Sequence, residues 1–122
     1  MKKVLIVEDH ADIRRLIRMT LELDDHEIHE AADAAAGLEA ARRLLPDVVL
    51  LDVMLPGGMD GLAVCRALRA DPALRRTAIV MLSALGSGSD RENGLEAGAD
   101  AYLVKPFSPL NLIETIDSLV KS

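Results

Sequence analysis

Five residues of this chain have the types and the spacing to act together. Glu8 and Asp9 close the apolar run of "KVLIVED", Asp52 closes that of "VVLLDVML", Ser83 follows "IVML" and Lys105 follows "AYLV". A lone carboxylate in such a place is most often a helix N-cap or loop residue, a lone serine a turn residue, and a lone lysine a solvated one. Four apolar runs that each end in matching chemistry carry more weight. At one edge, three carboxylates against one ammonium leave a formal charge that a single divalent cation cancels. Crowded carboxylates otherwise repel and raise one another's pKa. Hard oxygen donors with room for water suit Mg²⁺, held at about 2.0–2.1 Å, and Mg²⁺ in such a site commonly binds phosphate too. The set can therefore receive a phosphoryl group. Asp52 would be the nucleophile that forms an aspartyl phosphate, and Lys105 and Ser83 would contact its oxygens, by positioning and charge neutralisation.

That convergence has to come from the surrounding elements. Val4–Val7, Val48–Leu51, Ala78–Leu82 and Ala101–Val104 are short, nearly continuous apolar runs, as expected of parallel strands covered on both faces. Glu27–Ala31 alternates polar with apolar and reads as an edge strand. Helical stripes lie between the runs: Ile13, Leu16, Ile17 and Leu21; Leu38, Ala41, Leu44 and Leu45, ended by Pro46; Leu62, Cys65 and Leu68; and Leu112, Ile113, Ile116, Leu119 and Val120. Ser108 is placed to cap the last helix, with Pro109 at its first position. The helix expected in "LGSGSDRENGLEAG" carries four glycines and few apolar anchors, so it should be short and the least stable part of the domain. The order βαβαβαβαβα predicts an α/β, doubly wound sheet with right-handed crossovers, whose sites lie at the carboxyl ends of its strands.

Length and composition set the bounds. The chain has 122 residues, enough for one domain, and half are hydrophobic. A net charge of −6 argues against a nucleic-acid surface and fits simple solubility. The single cysteine, Cys65, forms no intramolecular disulfide and fits a reducing cytoplasm as a packed thiol. The run after Met1 is too short for a signal peptide, and no segment is long enough to span a membrane. His10, His26 and His29 lack metal-ligand spacing and read as surface residues; of the three, only His10 lies near the five.

Across essentially its whole length the sequence resembles the receiver domain of two-component response regulators. The stretches "VLIVEDH", "DVVLLDVMLPGGMDGL", "IVMLSA" and "GADAYLVKPF" carry the likeness, in order and at matching separations. The resemblance implies a single receiver domain over residues 1–122 with no output domain in this chain, built as a (βα)5 sandwich around a five-stranded parallel sheet of order 2-1-3-4-5. It implies that Asp52 takes a phosphoryl group from a phosphohistidine on a histidine kinase or phosphotransfer protein. Glu8, Asp9, Asp52 and the carbonyl of Met54 would hold Mg²⁺. Ser83 and Tyr102 would act as switch residues, the peptide between Lys105 and Pro106 would be cis, and the surface of the fourth helix, fifth strand and fifth helix would meet an output partner. The enzymatic content would be Mg-dependent self-phosphorylation and autodephosphorylation.

The sequence departs from the family pattern at several places. "LPGGMDG" has one glycine more than usual, Ser83 stands where Thr is commoner, and the positions two beyond Asp52 and Ser83 are the apolar Met54 and Leu85. Rival readings are a degenerate receiver that never takes phosphate, a haloacid-dehalogenase phosphatase and a flavodoxin-like FMN carrier. The phosphatase needs a second aspartate where Met54 stands. The flavin carrier needs aromatics, and only Tyr102 and Phe107 exist.

Overall fold

The computed structural model describes residues 2–84 and 86–120. Five strands, β1 (Lys2–Val7), β2 (His26–Ala31), β3 (Val48–Asp52), β4 (Ala78–Ser83) and β5 (Ala101–Val104), form one parallel sheet in the order β2-β1-β3-β4-β5. Five helices alternate with them: α1 (Ala11–Leu21), α2 (Ala34–Leu44), α3 (Gly61–Ala70), α4 (Gly88–Glu96) and α5 (Pro109–Leu119), with a short 3₁₀ turn at Pro72–Leu74. The expected order and class are met. β2, the alternating segment, lies at the edge, and every residue of β3 and β4 is buried. Among the described residues no helix is long and apolar enough to cross a membrane.

Strand periodicity divides the core between the two faces. Leu5, Val7, Val49, Leu51, Ile79, Met81 and Tyr102 face α2 and α3. Val4, Ile6, Val48, Leu50, Val80 and Leu82 face α1 and α5, where Ile17, Leu112 and Ile116 meet them. Each such side chain, fully buried, stabilises the fold by about 1.5–3 kcal/mol. Local chemistry sets most helix starts. Asp33, Asp60, Ser87 and Ser108 each accept a hydrogen bond from a first-turn amide, and Ser87 forms a capping box with Asp90. Pro109 follows Ser108 at the first position of α5.

Three details correct the sequence reading. Leu16 is half exposed and Thr20 takes the inward place; its hydroxyl is satisfied by the Leu16 carbonyl at 2.9 Å, so a polar residue tolerates burial there. Leu45 leaves the α2 stripe because it caps that helix in the left-handed conformation, at φ 48°, and turns outward. His26 is not a surface residue. It shares a face of β2 with Ile28, toward α1, so its side chain is only 8% exposed.

α4 has nine residues and buries only Gly94, in keeping with its few apolar anchors. Gly94 is needed for close approach: a Cβ there would lie 2.8 Å from the Tyr102 ring. Gly61 is tighter still. Its amide donates to the Val53 carbonyl at 2.8 Å, and an added Cβ would collide with the Asp52 carbonyl and lie 2.7 Å from the Val53 Cα. Backbone cannot yield as a flexible side chain can, so Gly61→Ala should destabilise the domain by about 2 kcal/mol or more in urea unfolding, whereas Gly88→Ala, which meets nothing, should not.

Candidate functional site

Parallel pairing sets the site at the carboxyl end of the sheet. Register matches Val7 with Leu51 and Asp52 with Leu82, so the residues just beyond β1, the last of β3 and the last of β4 lie side by side. Ser83 pairs with Val104, and the Lys105 amide donates to the Ser83 carbonyl at 2.7 Å, bringing Lys105 to the same end. The peptide between Lys105 and Pro106 is cis.

Glu8, Asp9 and Asp52 form one cluster, joined by His10. One ligand atom from each lies within 4.8 Å of the others. Glu8 is fully buried and Asp52 is 3% exposed. The Lys105 ammonium ion-pairs with Glu8 Oε1 and lies 3.4 Å from Asp52 Oδ2. Asp52 Oδ1 accepts from the Met54 amide at 3.1 Å, while the Met54 side chain is largely exposed. Ser83 is buried at the end of β4, and Tyr102 is buried further down β5, with the Arg91 guanidinium 5.6 Å over its ring.

The two buried carboxyls titrate apart. Burial alone would raise Glu8, but the hydrogen bond with Asp52 and the ion pair with Lys105 outweigh it and hold Glu8 at about 2. Asp52 is pushed up to about 6, first by burial and then by the Glu8 carboxylate beside it. The asymmetry follows from the lysine, which sits on Glu8 more closely than on Asp52. Asp9 has no such neighbour. Its Oδ1 is buried and makes no hydrogen bond, although His10 Nδ1 is 3.2 Å away. An anionic oxygen without a donor, beside two more carboxylates, is what a hard divalent cation satisfies.

Some of the site escaped the sequence reading. His10, taken as a surface residue, is exposed but sets its Nδ1 against both Glu8 and Asp9. Arg14 donates to the Glu8 carbonyl at 2.7 Å while paired with Glu30 of β2, pinning the backbone that carries the acid pair. Its only signal was the one-turn spacing from His10. The extra glycine gives a loop in which Gly57 adopts φ 91°, beside a cavity of about 460 Å³ lined by Asp33, Leu38, Pro56 and Met59. Leu85 lies outside the described residues.

A model of the response regulator receiver domain matches residues 4–117. The chain belongs to the response regulator receiver domain family. The general function of that family is a phosphoacceptor switch in two-component signalling. The transcriptional regulatory protein ResD of Bacillus subtilis is 45% identical over 123 residues, covering 98% of this chain and 48% of ResD. Among solved structures, chemotaxis protein CheY4 of Vibrio cholerae superposes with a TM-score of 0.90 at 34% identity over 98% of each chain. The receiver domain of sensor histidine kinase PA1611 from Pseudomonas aeruginosa, with a magnesium ion coordinated in its active site cleft, gives 0.90 at 32%, over 99% of this chain and 98% of that one. This receiver domain spans about half the length of ResD and 26% of another curated relative, response regulator PleD of Caulobacter vibrioides.

The charge pattern yields a stability test. Folded Asp52 titrates above its ordinary 3.8, so between there and about pH 6 this side chain holds more proton folded than unfolded and its contribution to stability falls as pH rises, while Glu8, held at about 2, contributes in the opposite sense below its ordinary 4.5. With divalent ions chelated, Asp52→Asn should therefore be more stable than the parent at pH 7.5, by about 1–2 kcal/mol in urea, and the gap should close toward pH 4.

Proposed function

We propose that Asp52 is the phosphoacceptor of this receiver domain and that it reacts with Mg²⁺ held by Glu8, Asp9, Asp52 and the Met54 carbonyl. The observation that carries the reading is Asp52 itself: a buried carboxylate at the end of a central strand, with one oxygen held by the Met54 amide and the other facing the Lys105 ammonium. Asp9 Oδ1, buried without a hydrogen-bond donor, supports the cation, as does the all-oxygen donor set the acids supply. The magnesium ion in the PA1611 receiver domain supports it by kinship.

When bound, the cation neutralises charge building on the transferring phosphoryl oxygens. The chain's own residues do the rest. β3 fixes the direction of the Asp52 oxygen that attacks phosphorus. The oxygen–phosphorus bond forms as the phosphorus–nitrogen bond of a donor phosphohistidine breaks, and the imidazole leaves with the bonding pair. Lys105, held over Asp52, takes the new phosphoryl charge, and Ser83 at the end of the adjoining strand offers a hydroxyl to it. The donor is a histidine kinase or phosphotransfer protein, and the setting is a reducing cytoplasm, in which the buried Cys65 thiol stays unpaired. The switch runs through Ser83 and Tyr102 to the face of α4, β5 and α5, where an output partner binds. Packing supports that route, since Tyr102 touches Gly94 of α4 and lies under Arg91.

Intact-mass measurement after acetyl phosphate with Mg²⁺ tests the acceptor. One labile phosphoryl group should appear on the parent, and none on Asp52→Asn or on the parent in excess EDTA. A parent that gains nothing would make it a degenerate receiver, while undiminished labelling in EDTA would overturn the role of the acids.

The lifetime of the phosphoryl group depends on a water arriving in line opposite the Asp52 oxygen. The Met54 side chain is 59% exposed, two residues beyond Asp52, and has no group to orient water. Met54→Asn should release phosphate about tenfold faster at fixed Mg²⁺, a barrier change of about 1.4 kcal/mol.

A further inference from the structure

The N-cap residue of α1 is unusual for its position. Ser, Thr, Asp or Asn at an N-cap would accept from the first-turn amides, but His10, with φ −84° and ψ 114°, makes no such bond. Its ring is turned to the acids instead. Nδ1 lies 3.3 Å from Glu8 Oε2 and 3.2 Å from Asp9 Oδ1, and it belongs to the same set of ligand atoms as Asp52. Donors sharing one cation stand about 3 Å apart at an octahedral ion and about 3.3 Å apart at a tetrahedral one with bonds near 2.0–2.1 Å. The observed spacings fall in that range. In the metal-free chain Nδ1–H donates to Glu8 Oε2, and because the ring is largely exposed Nε2 can hold the hydrogen against water instead when a metal takes the Nδ1 lone pair.

We propose that His10 adds a nitrogen donor to the acidic site, so that this receiver domain holds borderline divalent cations such as Zn²⁺ much more tightly, relative to Mg²⁺, than its carboxylates alone would. The inference rests on the cation reading of the acid cluster and extends it from Mg²⁺ to a second class of ion. Carboxylate and carbonyl oxygens suit Mg²⁺ and Mn²⁺, whereas an imidazole suits Zn²⁺, Ni²⁺ and Cu²⁺ and gains little from Mg²⁺. Glu8 and Asp9 supply the charge and His10 the selectivity. Of the other two histidines, His29 is paired with Glu27 at 2.7 Å and His26 lies beneath α1, so neither reaches this cluster.

The test uses the full chain, stripped of metal and ¹⁵N-labelled, with Zn²⁺ and Mg²⁺ titrated separately by calorimetry and followed by imidazole nitrogen spectra. Zn²⁺ should move the Nδ1 resonance of His10 and leave those of His26 and His29 in place. His10→Gln should weaken Zn²⁺ at least tenfold and Mg²⁺ less than threefold, with an unchanged urea midpoint for an exposed side chain. Asp9→Asn should weaken both ions. If Mg²⁺ binds in an Asp9-dependent way while Zn²⁺ affinity is the same in His10→Gln, or Zn²⁺ moves only His26 or His29, the cation site stands and this inference is overturned. If the parent binds Mg²⁺ nowhere near Asp9, the cation reading fails and takes this inference with it.

Discussion

Repulsion between two buried carboxylates, Glu8 and Asp52, governs this domain. Removing an ion from water costs several kcal/mol even after relaxation, and a like charge alongside adds to that. A single ammonium, Lys105, faces both, and it sits closer to Glu8. The arrangement persists because the surrounding sheet is stable enough to impose it. β3 is buried along its whole length, and its neighbours β1 and β4 are fixed to it by parallel register. The apolar strands thus hold a charge arrangement that would disperse in a looser scaffold.

Backbone contacts do much of the holding. The Met54 amide fixes one Asp52 oxygen, and Gly61 brings the start of α3 against the Asp52 carbonyl. Arg14 secures the carbonyl of Glu8, and the Lys105 amide is tied to Ser83. These ties run from a strand end to the residues just beyond it, to the neighbouring strand end or to the helix that follows, so the clustered side chains are positioned by short-range contacts at one edge of the sheet. This is why an α/β sheet is a suitable support for such chemistry: its strand ends converge, and the helices that follow each strand leave from the same edge.

Much of this was legible in the sequence. A run such as Val48–Leu51 has no polar face, which only a sheet covered on both sides explains, and the residue ending each run then has a known address. Glu8, Asp9, Asp52 and Lys105 come together for that reason. What stayed hidden depends on angles that a residue list does not carry. Leu16 and Thr20 lie a turn apart, and a modest rotation of α1 decides which faces inward. Leu45 turns out through a left-handed cap, and His26 turns in through strand parity at a frayed-looking edge. His10 sits at a cap position where only the direction of its ring reveals its company.

The same physics accounts for the uneven anchoring of α4. Its C-terminal side is clamped: Arg69 of α3 donates to the Gly98 and Thr77 carbonyls at 2.7 Å and pairs with Asp100, which also accepts from the Ile79 amide. Its N-terminal side, which follows Ser83, has the exposed capping box of Ser87 and Asp90 and, in the first turn, Arg91, whose guanidinium donates to the Tyr102 carbonyl at 3.2 Å. Between them, the one buried residue is Gly94, with no side chain to resist displacement. Local opening favours segments with few apolar contacts and exposed hydrogen bonds. The end of α4 nearest Asp52 is therefore held by a single arginine and an exposed cap, and the end nearest the opposite edge of the sheet by the Arg69 and Asp100 contacts.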